Sequence, residues 1–303
     1  MTLSSACSDP QFDPRTLAEQ VEHLIALPEV CLQLQALLED ERASARDFAQ
    51  LIACDAALTA RLLHLTNSAT FARYGEVDSV AKAITLIGVD ELYHLAVAAS
   101  AANLYRGPVP LEVDLHAFWA RNVHCALAAR LLGRLRSHPR REQLFTAGLL
   151  HHLGWLALYE SVPQLAVELA TAPASEPVWR QEQNRLGYPL TAVSAALMER
   201  WAMPPRLVQP VAGLHAPLSL CPDHQGAGAI IHIAHRVALH LEQDSVSDAT
   251  SEGYLGLIDP VAWKLSGLRP AVLPEVVRYV SAESWELTSV FLSGAVSVAH
   301  PTV

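Results

Sequence analysis

Apolar residues recur at helical spacing along almost the whole chain, and polar residues mark where each run begins. Leu17, Val21 and Leu24 follow Asp13-Pro14, an N-cap residue with proline at the first helical position, and Pro28 should end that helix. Val30, Leu34, Leu37 and Leu38 define a second helix. Ser44 opens a third, with Asp47 three residues on as a capping-box partner ahead of Phe48, Leu51 and Ile52. Asp55 caps a fourth with Leu58, Leu62 and Leu65 on one face, and Asn67-Ser68 interrupts it before an irregular loop over 71–75. Ser79 opens a fifth that Gly88 closes, and Asp90 caps a sixth, rich in small residues, that runs to Ala102.

Gly107-Pro108-Val109-Pro110 is the clearest break in composition and is read as a boundary between lobes. A long helix over 112–135 follows, ending in a basic loop with Arg134, Arg136, Arg140 and Arg141, which suits a helix C-terminus and its negative dipole end. Further helices are predicted over 142–158, 161–170, 176–186, 190–202, 204–214, 226–243 and 274–290, with no strand-like alternation. The organisation predicted is a flexible N-terminus (1–20), an N-terminal helical lobe (21–108), a larger helical lobe (109–245) and a C-terminal helical tail packed on the core (246–303). The fold class expected is all-α.

Composition agrees with that reading. Ala and Leu make up 94 of 303 residues and aromatic residues only 6%, a balance that favours helices over sandwiches or barrels. With 51% hydrophobic and 17% charged residues, disorder is excluded as a description of the chain as a whole. A formal charge of -10 disfavours general nucleic-acid binding. The absence of a long apolar run or a signal-like start gives a cytoplasmic expectation with no membrane partner. Five scattered cysteines in no C-x-x-C pair suggest free thiols rather than disulfides or a thiolate zinc site.

Fourteen histidines are many, and several fall inside apolar helical stretches where an imidazole needs a hydrogen-bond partner or a metal. His124 shares a face with Leu127, Ala128 and Leu131; His151 and His152 directly follow Phe145-Thr146-Ala147-Gly148-Leu149-Leu150; His215, His232 and His235 come later. Each also has a plain structural reading as a hydrogen-bonded core or surface residue. The same holds for Asp55 and Asn67-Ser68, whose polar groups suit capping and loop closure as well as a site. No Walker-type loop, G-x-S-x-G elbow or H-E-x-x-H is present.

From about residue 20 to 285 the chain resembles the HDOD domain proteins, a signalling branch of the HD phosphohydrolase superfamily. The resemblance rests on Leu27-Pro28-Glu29-Val30, the run from Leu51 to Leu63, Asn67-Ser68 and Ala83-Ile84-Thr85-Leu86-Ile87-Gly88 in the first lobe. In the second it rests on Trp119, His124, Ala147-Gly148-Leu149-Leu150-His151, Leu186-Gly187 and Trp201-Ala202-Met203-Pro204. It implies a small N-terminal bundle packed on an HD-like bundle. Catalytic HD enzymes use a His, an adjacent His-Asp pair and a later Asp. Here His124 and His151 match, but His152 stands where the paired Asp belongs and His235 where the final Asp belongs. Leu190 stands where related branches carry a further His.

A two-metal hydrolase needs anionic oxygen ligands to bridge its ions, which imidazoles cannot supply. If His124, His151, His152 and His235 converge, the set suits a single divalent transition metal such as Zn, Ni or Cu. The adjacent pair should diverge by about 100 degrees on an ideal helix. Three readings follow. The first is a non-catalytic bacterial signal-transduction module with a degenerate metal site that binds a signalling protein in trans or a small ligand. The second is an unusual metal-dependent phosphohydrolase acting on a nucleotide or phosphoester. A third is that the Arg-rich loop and the old cleft bind a cyclic nucleotide without cleaving it; His215 and Arg236 are the candidate ligand-binding residues. A chain of this length leaves no room for a receiver or cyclase domain beside the matched region, so the input signal is expected from a separate molecule.

Overall fold

Sixteen α-helices carry the described residues of the computed structural model, which are 13–68, 76–101, 114–171, 177–244, 256 and 258–295. The first six are α1 (Pro14–Gln20), α2 (Glu29–Glu39), α3 (Ala45–Ala53), α4 (Ala56–Asn67), α5 (Val80–Ile87) and α6 (Val89–Ser100). The polar residues that open them act as caps. Asp13 accepts from the backbone N–H of Arg15 and Thr16, Asp55 from that of Leu58 and Ser79 from that of Lys82, while Asp47 accepts from both N and Oγ of Ser44. Asn67 closes its loop: Oδ1 accepts from Val77 N at 2.8 Å and Nδ2 donates to Val77 O at 2.7 Å. Asp90 does not cap α6. Gly88, with φ +84, is the N-cap and Asp90 lies inside the first turn, where a carboxylate complements the helix dipole.

The second half contains α7 (Leu115–Leu135), α8 (Arg141–Leu150), α9 (Leu153–Ser161), α10 (Pro163–Ala170), α11 (Val178–Leu186), α12 (Thr191–Arg200), α13 (Pro205–Ala212), α14 (Pro222–Asp244), α15 (Pro260–Ser266) and α16 (Leu273–Ala295). Helix α7 lies at the centre, packed by α8, α14 and α16, with Trp119 and Phe145 fully buried there. Burying each side chain of that size contributes on the order of 2–3 kcal/mol. The break at 107–110, the loop at 71–75 and the start of the long helix at Glu112 fall outside the described residues.

Two expectations change. The segment taken as a flexible N-terminus contains α1, whose Leu17 and Ala18 are buried against α12 and α9, so an apolar face holds it to the larger lobe. The single helix over 142–158 is two, broken at His151-His152.

The lobes meet through α6, which packs on α2 and α4 on one side and on α8 on the other. Buried Gln35 joins them further: Nε2 donates to Ala202 O at 2.5 Å while Oε1 accepts from Tyr93 at 3.1 Å. Ala202 has φ +53, a left-handed turn that ends the Trp201-Ala202 step and aims its carbonyl at α2.

Candidate functional site: a histidine cluster beside an arginine-bearing cavity

The break between α8 and α9 builds the site. Helix α8 ends with carbonyls lacking intrahelical partners, and the side chain of His151 turns back to satisfy one, its Nδ1–H donating to Gly148 O at 2.6 Å. Ser194 of α12 spans the break: its Oγ accepts from Gly154 N at 2.8 Å and donates to His151 O at 2.8 Å. Close approach requires the two glycines. A Cβ at Gly148 would stand 2.8 Å from the Ala126 backbone of α7, and one at Gly154 2.1 Å from Leu190 O.

Because a carbonyl takes the Nδ1–H of His151, its Nε2 carries the lone pair, and that lone pair meets Nδ1 of His235 at 3.1 Å. His235 is therefore the donor. The neighbouring His152 faces another way, with Nε2 accepting from Arg121 Nη1 at 2.8 Å. Arg121 also grips Glu242 with Nε, at 2.8 Å, and with Nη2. Burial lowers the pKa of His151 to about 4 and pushes His152 and His235 well below the usual histidine range, with the Arg121 charge adding for His152 and the His151 ring for His235. All three are neutral at pH 7.

A cavity of about 300 Å³ opens beside this cluster, at the lower end of the range for small-molecule sites. Its walls include Arg121, His152, Trp155, Trp179, Leu190, His215, His235, Arg236 and Glu242. Trp179 stacks on His215 at 5.0 Å and 14°. Glu182 also lines it, with Oε1 accepting from Trp155 Nε1 at 3.0 Å and Oε2 from Leu190 N at 2.7 Å. Burial raises this carboxyl to about 7 against the two hydrogen bonds that favour its charged form. Leu190 thus contributes a backbone N–H where a metal-binding side chain was absent from the sequence.

The four histidines taken together as metal ligands do not form a ligand set. Among the described residues no three His, Cys, Asp or Glu side chains are grouped so as to hold a metal ion. Both ring nitrogens of His151 and Nε2 of His152 are already engaged. His124 lines neither this cavity nor the one next to it; burial lowers its pKa to about 4, and its Nδ1 is buried without a hydrogen-bond partner among the described residues. The donors present do not fit a divalent ion as arranged. His215, Arg236 and His235 do line one cavity, whereas His232 is structural, tying Leu214 O to Asp259 N.

A model of the HDOD domain matches residues 24–217, well over half the chain. The chain belongs to the HDOD family. Among solved structures, this HDOD protein resembles one from Shewanella amazonensis SB2B that carries a provisional phosphohydrolase name, at TM-score 0.69 and 23% identity, covering 91% of this chain and 97% of the other. It also resembles a protein from Marinobacter aquaeolei VT8 with a provisional signal-transduction name, at TM-score 0.65 and 20% identity, covering 96% and 69%. At these identities the likeness shows the all-helical fold. A curated relative, an uncharacterized protein of Treponema pallidum (strain Nichols), is 22% identical over 201 residues; the aligned part is 65% of this chain and only 38% of that protein. No single helix among the described residues is long and apolar enough to cross a membrane.

Sequence reasoning missed Arg121, Glu242, Glu182, Trp155 and Trp179. Arg121 and Glu242 are 121 positions apart, so no local pattern links them. The available signal was Arg121 itself, a charge three residues before His124 beside the apolar run Phe118-Trp119-Ala120.

Proposed function

We propose that this HDOD protein is a non-catalytic bacterial signal-transduction module that binds a small ligand in the cavity beside His152 and Arg121. The observation that carries the reading is the state of the two acids in the cavity wall. Glu242 is paired with Arg121, and Glu182 is held by Trp155 and the Leu190 amide, so neither is free to bridge metal ions. The aromatic walls and the guanidinium remain suited to binding. The Marinobacter relative's signal-transduction name agrees with such a role.

A thermal-shift screen of small metabolites, run beside a phosphoesterase assay with Mn, Ni or Zn, tests this. The expected result is a rise in Tm with at least one compound, lost on Trp179→Leu, and no metal-dependent turnover. Turnover abolished by His151→Ala, with the fold intact by circular dichroism, would make the protein a phosphohydrolase instead.

A further inference from the structure

Arg121 stands in the wall of two cavities. The second, of about 240 Å³, is bounded by Asp114, Phe118 and Tyr159, and it shares Arg121, His152, Trp155 and Val178 with the first. A guanidinium has five N–H donors. Three of those on Arg121 are used, two by Glu242 and one by His152, and the other two meet no protein acceptor among the described residues. The Arg121 side chain is a quarter exposed, so these donors are open to an oxygen-bearing group where the two cavities share walls.

Flat rings line both sides of that junction. On one side lies the Trp179–His215 stack; on the other are Phe118 and Tyr159. Trp155 stands between them, with His152 at 5.7 Å and Tyr159 at 5.7 Å. Such surfaces favour planar aromatic groups. Of the charged groups around the walls, Glu242 is paired with Arg121, and the charge of Arg236 stands against those of Asp114 and Glu182, so the near-balanced charge suits a central group with a single negative charge.

We propose that the two cavities form one bipartite site for a ligand with a planar ring at each end and a single anionic group between them, the chemistry of a dinucleoside monophosphate. Its phosphodiester takes the spare donors of Arg121 and its two bases take the two ring-lined compartments. This rests on the reading that the first cavity binds a small ligand, and names the ligand's class.

Calorimetry with the full chain and three probes, ApA, AMP and adenosine, tests it. ApA is expected to bind at least about tenfold more tightly than either single nucleoside, and Arg121→Gln to weaken ApA by about tenfold or more. Tyr159→Ala, in the second compartment, is expected to weaken ApA by about tenfold, bringing it down to the level of AMP. It supplies an independent readout should Arg121→Gln fail to fold. Equal affinities for AMP and ApA, indifferent to Tyr159→Ala, would overturn the bipartite site while leaving a one-compartment ligand pocket. No binding by any probe would overturn the ligand class, and the thermal-shift screen would then decide separately whether the cavity binds anything else.

Discussion

His151 Nε2 accepts a hydrogen bond from His235 Nδ1 at 3.1 Å, joining two buried rings 84 positions apart. The arrangement exists only while His151 is neutral, because a proton on Nε2 would set donor against donor. Nitrogen-15 NMR should therefore show both rings as neutral tautomers with the proton on Nδ1. His235→Ala leaves the His151 lone pair buried and unmet, and should destabilise the fold by about 1–3 kcal/mol in urea titrations. Retained stability would show that water takes the place of the ring.

Among the described residues eight histidines have lowered pKa values, chiefly through burial, including His94 at about 3 and His124 and His151 at about 4. Unfolded histidines titrate near 6.5, so between there and about 4 the unfolded chain binds more protons, and stability falls as pH falls. Glu91 and Glu182, raised to about 7, act in the opposite sense, but they are two against eight. Tm should drop steeply from pH 7 to pH 5. A flat profile would mean that the histidines are accessible to protons in the folded state.

Ser194 serves both ends of the α8–α9 break. Ser194→Ala removes the acceptor for Gly154 N–H and the donor to His151 C=O in one step, and should cost about 2–4 kcal/mol. Denaturant unfolding measures this directly, and a cost below about 1 kcal/mol would show that the break holds without it.

Arg130 of α7 and Glu142 of α8 form a buried ion pair at 2.5 and 3.0 Å between the two helices. Arg141 Nε also donates to Glu142 Oε1 at 3.1 Å, so Arg130→Met leaves the carboxylate only half paired and should destabilise by about 1–3 kcal/mol, whereas the double change Arg130→Met, Glu142→Met should recover much of the loss. Glu91 lies close by, its carboxyl raised to about 7 by burial and by the Glu142 charge. A raised carboxyl stabilises the fold below its unfolded pKa, and that stability is lost as pH climbs through 7. Glu91→Gln should therefore raise Tm relative to wild type at pH 8 and above, and scanning calorimetry across pH 6 to 9 reads the crossover.

Elemental analysis of tag-free protein should find no stoichiometric Zn, Ni or Mn, and His151→Ala should leave the content unchanged. A stoichiometric metal lost in that variant would mean that the His151–Gly148 and His151–His235 bonds give way to coordination.

Most of the helices are written in contiguous residues, although the run over 142–158 reads as one helix and is two. Apolar spacing and the caps Asp13, Asp47, Asp55 and Ser79 place the first-lobe elements, and Asn67 closes its loop with nearby Val77. The family, too, was legible from ordered short motifs. The site follows from contacts between distant helices. Whether His151 and His152 serve one pocket depends on the chain breaking between them, and that break is held by Ser194 from another helix. Arg121 finds Glu242 and His152 through packing of α7 against α8 and α14. Periodicity reports which face of a helix is buried, and carries no information about which distant polar group will meet it there.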